Sequence, residues 1–344
     1  MAEQNVLSPL EKERSAADTA LIEKIAKGFM VESQEDMTPG YRKALLTQLT
    51  VQGDTELLSA PAYYLASRDA PTINSRIAVT AIVHDELGHA NIAYRMMEDL
   101  GVDKHQLLYG RQPHEFKHPY GFDQPLENWA EMVVANGFFD RAGICLLGDV
   151  HQHTSYGPLK RALVKVDREE ILHLRHGESW MKRLAKAGGE VKEALQRAVD
   201  WMFPISLEWF GLPDGLKRHS GQLDYQLKGK TNDQLRQIWM DSTVPLCQGI
   251  GIDVPAHLDE ASKEYLIDYP FPCQYDPDAK RWLFDEPLSW EQVFKRWKAR
   301  GPMNKRYIEM ATTTPTTARR RARWASTPTS PRSLEMKSQH PWVT

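Results

Sequence analysis

The chain has 344 residues, 41% hydrophobic and 26% charged, with a net charge of −3. This composition belongs to a folded globular chain, which excludes a collagen-like or wholly disordered one, and no apolar run approaches the roughly 18 residues of a membrane span. The charge is uneven: residues 311–344 hold six basic residues and one acid, net +5, which leaves −8 for residues 1–310.

The first residues, Met1-Ala2-Glu3-Gln4, lack the basic patch and apolar stretch of a signal peptide, so the expected location is cytoplasmic. Cys145, Cys247 and Cys273 are far apart and form no Cys-x-x-Cys. They read as packed thiols in a reducing compartment, not as a zinc or iron–sulfur motif.

In chain order, residues 1–36 read as a helical arm of mixed charge. Thr38-Pro39 is an N-cap and N1 pair that starts a helix running to about Ser67, bent before Pro61. Thr72 caps a second helix that ends at Gly101. Residues 101–125, with Pro113, Pro119, Gly121 and Pro125, read as a long irregular loop. A third helix is expected over about 126–150 and a fourth from Pro158 to about Lys186. Shorter helices follow near 191–210, 232–248 and 288–299. Strand signals are sparse, so the class is all-α. After Met310 the Thr/Pro/Arg/Ser stretch has no periodicity and is expected to be a disordered basic tail over 311–344. It is more simply a solvated tail than a nucleic-acid patch, so nucleic acid is not an expected partner.

Glu-x-x-His occurs three times, at Glu86/His89, Glu115/His118 and Glu170/His173. With 24 Glu and 12 His, chance alone supplies about one match, so context decides. Glu115/His118 lies among prolines and is not displayed on a helix. The other two occupy the centre of apolar seams. Val79, Ile82, Glu86, His89, Ala93, Met96 and Leu100 advance by alternating threes and fours, as do Leu159, Leu163, Val166, Glu170, His173, Gly177, Trp180 and Leu184. A core carboxylate is costly unless paired or metal-bound.

Hairpin geometry supplies the partners. Residues equally far from a turn lie at one height. Glu86 follows Pro71 by 15 residues and Glu56 precedes it by 15; Glu170 and Asp140 stand in the same relation to Ser155. Each hairpin thus sets a lone acid opposite a Glu-x-x-His, about 22 Å from the turn. Four carboxylates and two histidines in this order are the ligand set of a di-iron or di-manganese carboxylate bundle. The expected architecture is therefore a ferritin-like four-helix bundle with additional N- and C-terminal helices, the catalytic domain covering 37–310.

Glu131 competes with Asp140 on a neighbouring apolar stripe. His84 and His176 lie off the seams, and His151 and His153 sit near the turn. Asp85 and Glu169 are placed to orient a ligand histidine of the opposite pair. Gly229-Lys230-Thr231 lacks the first glycine of a phosphate loop. Oxygen chemistry at such a site needs electrons, and the chain has no flavin, nicotinamide or iron–sulfur motif. A separate reductase is expected. Ala93 stands where a radical tyrosine would be needed for a ribonucleotide reductase subunit.

The segments His84-Asp-Glu-Leu-Gly-His89, Gly137-Phe-Phe-Asp140, Thr154-Ser-Tyr-Gly-Pro158, Arg161-Ala-Leu-Val-Lys165, Glu169-Glu-Ile-Leu-His173, Thr231-Asn-Asp-Gln-Leu-Arg236 and Thr243-Val-Pro245 resemble the catalytic A subunits of the bacterial phenylacetyl-CoA epoxidases. The resemblance covers about 38–310, and Ile82 stands where the family carries a lysine. It implies NADPH- and O2-dependent epoxidation of the aromatic ring of a CoA thioester at two iron ions, with manganese the other candidate metal. Glu56, Glu86 and His89 would hold one metal and Asp140, Glu170 and His173 the other, with Glu86 and Glu170 bridging. Lys104, Arg111 and Lys117 are the candidate contacts for CoA phosphate. The implied partners are a structural subunit of the same fold, small accessory subunits and a flavin/iron–sulfur reductase. The alternatives are an acyl-carrier-protein desaturase and a non-catalytic ferritin-like structural subunit.

Overall fold

Two helical hairpins make the frame, and most of their breaks are written in the sequence. The computed structural model describes residues 15–216 and 221–313, the last four as backbone only. α1 (Ala16–Ala26) is capped by Ser15, whose hydroxyl accepts from the Asp18 amide. α2 (Pro39–Ala66) starts at the expected pair: Thr38 Oγ1 accepts from Tyr41 N, and Pro39 occupies a position whose N–H has no helical partner anyway. The helix runs on through Pro61. α3 (Ile73–Asp99) is capped by Thr72 and ends before Gly101, whose φ of +81° a side chain would resist. The 101–125 stretch is less irregular than expected. It contains α4 (Lys104–Tyr109) and 3₁₀ turns at Pro113–Glu115 and Tyr120–Asp123.

The third long helix departs most from expectation. α5 (Trp129–Ala135) begins behind an Asn128 cap, passes into a five-residue π-turn, Asn136–Asp140, and resumes as α6 (Arg141–His153). All residues of α5 and the π-turn are buried, so no single apolar stripe marks an outer face. α7 (Gly157–Ala187) completes the second hairpin. α2 packs along α3 and α5–α6 along α7; the two pairs meet where α3 faces α7 and α2 touches α5. Leu45, Leu49, Val79, Leu159, Leu163 and Val166 are fully enclosed between them. Each such side chain contributes about 1.5–3 kcal/mol relative to exposure.

α8 (Gly189–Trp209), the short α9 (Gly221–Asp224) and α10 (Asn232–Gly249) wrap this frame. Two small antiparallel hairpins follow, β1 (Ala256–Leu258) with β2 (Tyr265–Ile267), and β3 (Cys273–Asp276) with β4 (Arg281–Pro287). They are the departure from an all-helical chain. They escape the sequence pattern because the strands are short and one β3–β4 turn is built by Asp276, whose side chain accepts from the amides of Asp278 and Ala279. α11 (Trp290–Ala299) and α12 (Pro302–Thr313) close the described chain.

The class is all-α, as expected. α12 runs three residues past Met310, and the rest of the expected tail, from 314, lies outside the described residues. So do residues 1–14 of the expected arm; from residue 15 on, the arm lies against the bundle. Leu21 and Ile25 are buried, Tyr225 Oη donates to Asp18 (2.7 Å), and Val31 bonds both sides of the 155–157 turn. Cys145, Cys247 and Cys273 are free thiols pushed up to about 12 by burial. Among the described residues, no helix is long and apolar enough to cross a membrane.

Candidate metal centre

Glu56 comes from α2, Glu86 and His89 from α3, Asp140 from the π-turn, and Glu170 and His173 from α7. Each is 6% exposed or less. The structure brings the six together as two adjoining clusters, Glu56/His89/Glu170 and Glu86/Asp140/His173, and within each one donor atom per residue lies within 4.8 Å of the others. The second carboxylate of each hairpin, Glu86 or Glu170, therefore reaches across to the other hairpin's histidine. His89 Nδ1 is 3.1 Å from Glu170 Oε1, and His173 Nδ1 is 3.3 Å from Glu86 Oε1. Glu170 Oε1 also stands 3.8 Å from His173 Nδ1, so Glu170 faces both clusters.

Several of these atoms converge without bonding. His89 Nδ1, His173 Nδ1 and Glu170 Oε1 are buried and make no aligned hydrogen bond. Leaving such groups unmatched is expensive, and a cation at their focus relieves it. The outer nitrogens are committed: His89 Nε2 faces Glu169 Oε2 at 3.0 Å and His173 Nε2 faces Asp85 Oδ2 at 3.4 Å. With Nε2 carrying the proton toward a carboxylate, the Nδ1 lone pair is directed into the cluster. Asp85 and Glu169 thus lie where the sequence placed them, each against the histidine of the opposite helix.

The electrostatics agree with this donor set. Burial, then repulsion from Glu86, pushes Glu56 well above the ordinary carboxylate range. Burial, then Glu86 and Glu170, does the same to Asp140. Burial opposes the charged form of His89, but Glu170 and Glu56 outweigh it and hold the ring up to about 12; His173 is held up to about 10, with Glu86 the main support. Four carboxylates in one water-poor core demand positive charge, which two protonated histidines supply only in part. The residues fit a pair of oxygen-preferring divalent metals.

A family model for phenylacetic acid catabolic proteins matches residues 15–270. In Escherichia coli (strain K12), the A subunit of the 1,2-phenylacetyl-CoA epoxidase is 32% identical over 252 residues, covering 71% of this chain and 80% of that protein. The chain belongs to the phenylacetic acid catabolic protein family.

In this family member, several groups around the centre carried no sequence signal of their own. Ser59 donates to Glu86, and Tyr63 donates to Asp140. Both lie on the face of α2 that carries Glu56, at i+3 and i+7, which was the available clue. Asn136 Nδ2 holds Asp140 Oδ2 at 2.8 Å, and His176 Nδ1 donates to Asn136 Oδ1 (3.0 Å). The π-turn places Asn136 and Asp140 side by side, a role such turns often have at functional sites.

The competing residues separate cleanly. Glu131 is bound to Lys280 Nζ (2.7 Å) and Trp201 Nε1 (3.3 Å), away from the clusters. Lys280 comes from the β3–β4 turn, which the sequence did not reveal. Glu115 Oε2 caps its own 3₁₀ turn through Gln112 N (2.6 Å), and His118 is buried against Asp123 (2.7 Å). His84 is exposed, while His151 and His153 face Asp167 and Asp149.

A cavity of about 580 Å³ reaches Glu56 from the surface. Leu146, Leu147, Val150, Trp209 and Phe210 supply apolar lining, and Lys117 and Lys298 stand among its exposed residues. Of the three expected CoA contacts, Lys117 lines this cavity. The other two do not. Arg111 is buried, bonded to Asp54 and stacked 3.9 Å over Phe116, because α2 places an otherwise uncompensated carboxylate there. Lys104 is tied to Asn91 Oδ1 (2.6 Å) and does not line the cavity. Ile82 is buried in the α3 seam.

Proposed function

We propose that this chain is the catalytic subunit of a multicomponent di-iron monooxygenase that epoxidises the aromatic ring of phenylacetyl-CoA or a close aryl-CoA thioester. The observation that carries the proposal is the buried six-residue donor set, one member of which, Glu56, lines a mainly apolar cavity. The family supports the substrate class, since the E. coli relative is named for phenylacetyl-CoA. In the overall change one oxygen atom of O2 enters the ring and the other leaves as water, with two electrons and two protons from NADPH and solvent. Glu56, His89 and Glu170 would hold one metal and Glu86, Asp140 and His173 the other, with Glu86 and Glu170 shared. Bound there, the metals supply reductive activation of O2.

The chain's own residues supply the rest. Glu169 and Asp85 accept from the outer Nε2 atoms, so once a metal displaces the inner proton each ring would present its Nδ1 lone pair inward. Tyr63 is kept protonated by burial and by the charge of Asp140, and its hydroxyl holds that carboxylate in place. The Leu146, Leu147 and Val150 wall excludes water from the acyl end. Lys117 and Lys298 offer cationic contacts to a CoA phosphate at the mouth. Electrons come from a separate flavin/iron–sulfur reductase, and a structural subunit of the same fold and small accessory subunits complete the assembly.

The test is reconstitution with iron, a reductase and a panel of aryl-CoA thioesters, with NADPH oxidation and epoxide followed together. Oxygenated aryl-CoA is the expected product. Activity confined to acyl-carrier-protein substrates would replace this proposal with a desaturase. Purified protein without iron or manganese, together with unchanged stability in Glu86→Ala, would replace it with a structural role.

A further inference from the structure

The cavity that Glu56 lines is mainly apolar, yet α2 lines it with two glutamines, Gln48 and Gln52. Gln52 is only 8% exposed, and neither its Nε2 nor its Oε1 has a hydrogen-bond partner among the described residues. Gln48 is anchored at one end, donating from Nε2 to Leu227 O (3.2 Å), while its Oε1 is buried without a partner. Buried amides are ordinarily matched, because an unmatched one costs roughly 1–3 kcal/mol. One wholly unmatched amide and one half-matched amide on the same helix face of a cavity mark a surface built for a polar ligand.

Their spacing says which polar groups they meet. Gln48, Gln52 and Glu56 follow one another at four-residue intervals, so they stand on one helix face, each about 6 Å from the next along the axis. An arylacetyl thioester carries its groups in a matching order. The carbonyl is two bonds from the ring, and the first amide N–H of the CoA arm lies four bonds beyond the carbonyl carbon. With the ring at the level of Glu56, the carbonyl falls at Gln52 and the amide at Gln48.

We propose that α2 is a ruler for the acyl–CoA junction. Gln52 Nε2–H donates to the thioester carbonyl oxygen, and Gln48 Oε1 accepts from the neighbouring amide N–H. This rests on the aryl-CoA proposal above and adds the residues that set how deep the ring enters. Both are positioning residues, since they touch substrate away from the reacting carbons.

The test is calorimetric binding to the full, iron-loaded chain. Phenylacetyl-CoA is compared with its carbonyl-free thioether, 2-phenylethyl-CoA. The wild type should bind the thioester about tenfold more tightly, the worth of one buried hydrogen bond. Gln52→Met, which keeps length without the amide, should bring the two ligands within about twofold by weakening only the thioester. Gln48→Met should weaken both several-fold and leave their ratio intact, because both carry the amide. If Gln52→Met does not fold, Gln52→Asn, which withdraws the amide by one methylene, should lose the preference in the same way. A variant at Gln52 that keeps the tenfold preference, or a wild type with none, overturns the ruler while leaving aryl-CoA binding intact. A wild type that binds neither ligand overturns the aryl-CoA proposal and the ruler with it.

Discussion

Gly177 is where the frame is tightest, and a single methyl group there tests how the π-turn is held. A Cβ at 177 would lie 2.4 Å from the backbone nitrogen of Gly137 and 2.7 Å from the carbonyl carbon of Asn136. Backbone cannot rotate away as a side-chain tip can. Restoring an ordinary contact of 3.4 Å means opening α7 from the π-turn by about 1 Å. Asp140 lies on the π-turn and Glu170 and His173 on α7, so this gap falls between members of the donor set. Overpacking of this kind costs about 1–3 kcal/mol, even after the roughly 0.5–1 kcal/mol that alanine gains over glycine inside a helix. Gly88 provides the control. It lies between Glu86 and His89 on α3, and nothing stands within 4 Å of its missing Cβ. Gly88→Ala should therefore raise stability by about 0.5–1 kcal/mol with metal content unchanged. Gly177→Ala should lower stability and reduce bound iron. Urea unfolding and elemental analysis on both variants decide it. Equal behaviour of the two, or full iron content in Gly177→Ala at wild-type stability, would refute the steric argument.

Asp54→Ala should cost about 3–5 kcal/mol in urea unfolding, because it strands the buried Arg111 guanidinium, and Asp54→Leu combined with Arg111→Met should recover most of that loss. A single-variant loss below about 1 kcal/mol would contradict the buried pair. Glu169→Gln should weaken metal binding about 10–100-fold by loosening His89, and Asp85→Asn should do less because its contact to His173 is longer, 3.4 against 3.0 Å. Competition with a chelator measures both, and the reverse ranking would count against this geometry. Burial, with the charge of His173, lowers His176 to about 4, so the folded state resists a proton that the unfolded chain takes up near its ordinary 6.5. Stability should fall as pH drops from 6.5 toward 4, by at most about 3 kcal/mol from this group, and His176→Gln should flatten that slope in thermal melts.

The candidate donor set was legible because it breaks a pattern. Glu86, His89, Glu170 and His173 interrupt apolar seams at the one place where interruption is expensive, and counting from each turn singled out Glu56 and Asp140. That counting survives the π-turn, since α6 and α7 still meet around Ser155. Between Asp140 and Glu131 the count from the turn was the one guide. Both lie on buried stripes, and only the distant Lys280, brought in by a two-stranded hairpin, shows that Glu131 is occupied elsewhere. The pairing of Arg111 was illegible for a related reason. A loop arginine looks available in one dimension, whereas its fate was set by Asp54, 57 residues away.

Local sequence, by itself, determined the helices, their caps and the heights at which six polar side chains enter the core, because periodicity and capping are properties of neighbouring residues. Tertiary structure decided which histidine meets which glutamate, how Asn136 and Asp140 share a π-turn, and that Gln48, Gln52 and Glu56 line one cavity. Those outcomes depend on contacts between segments far apart in the chain, where burial and electrostatic pairing, and not spacing, set the partner.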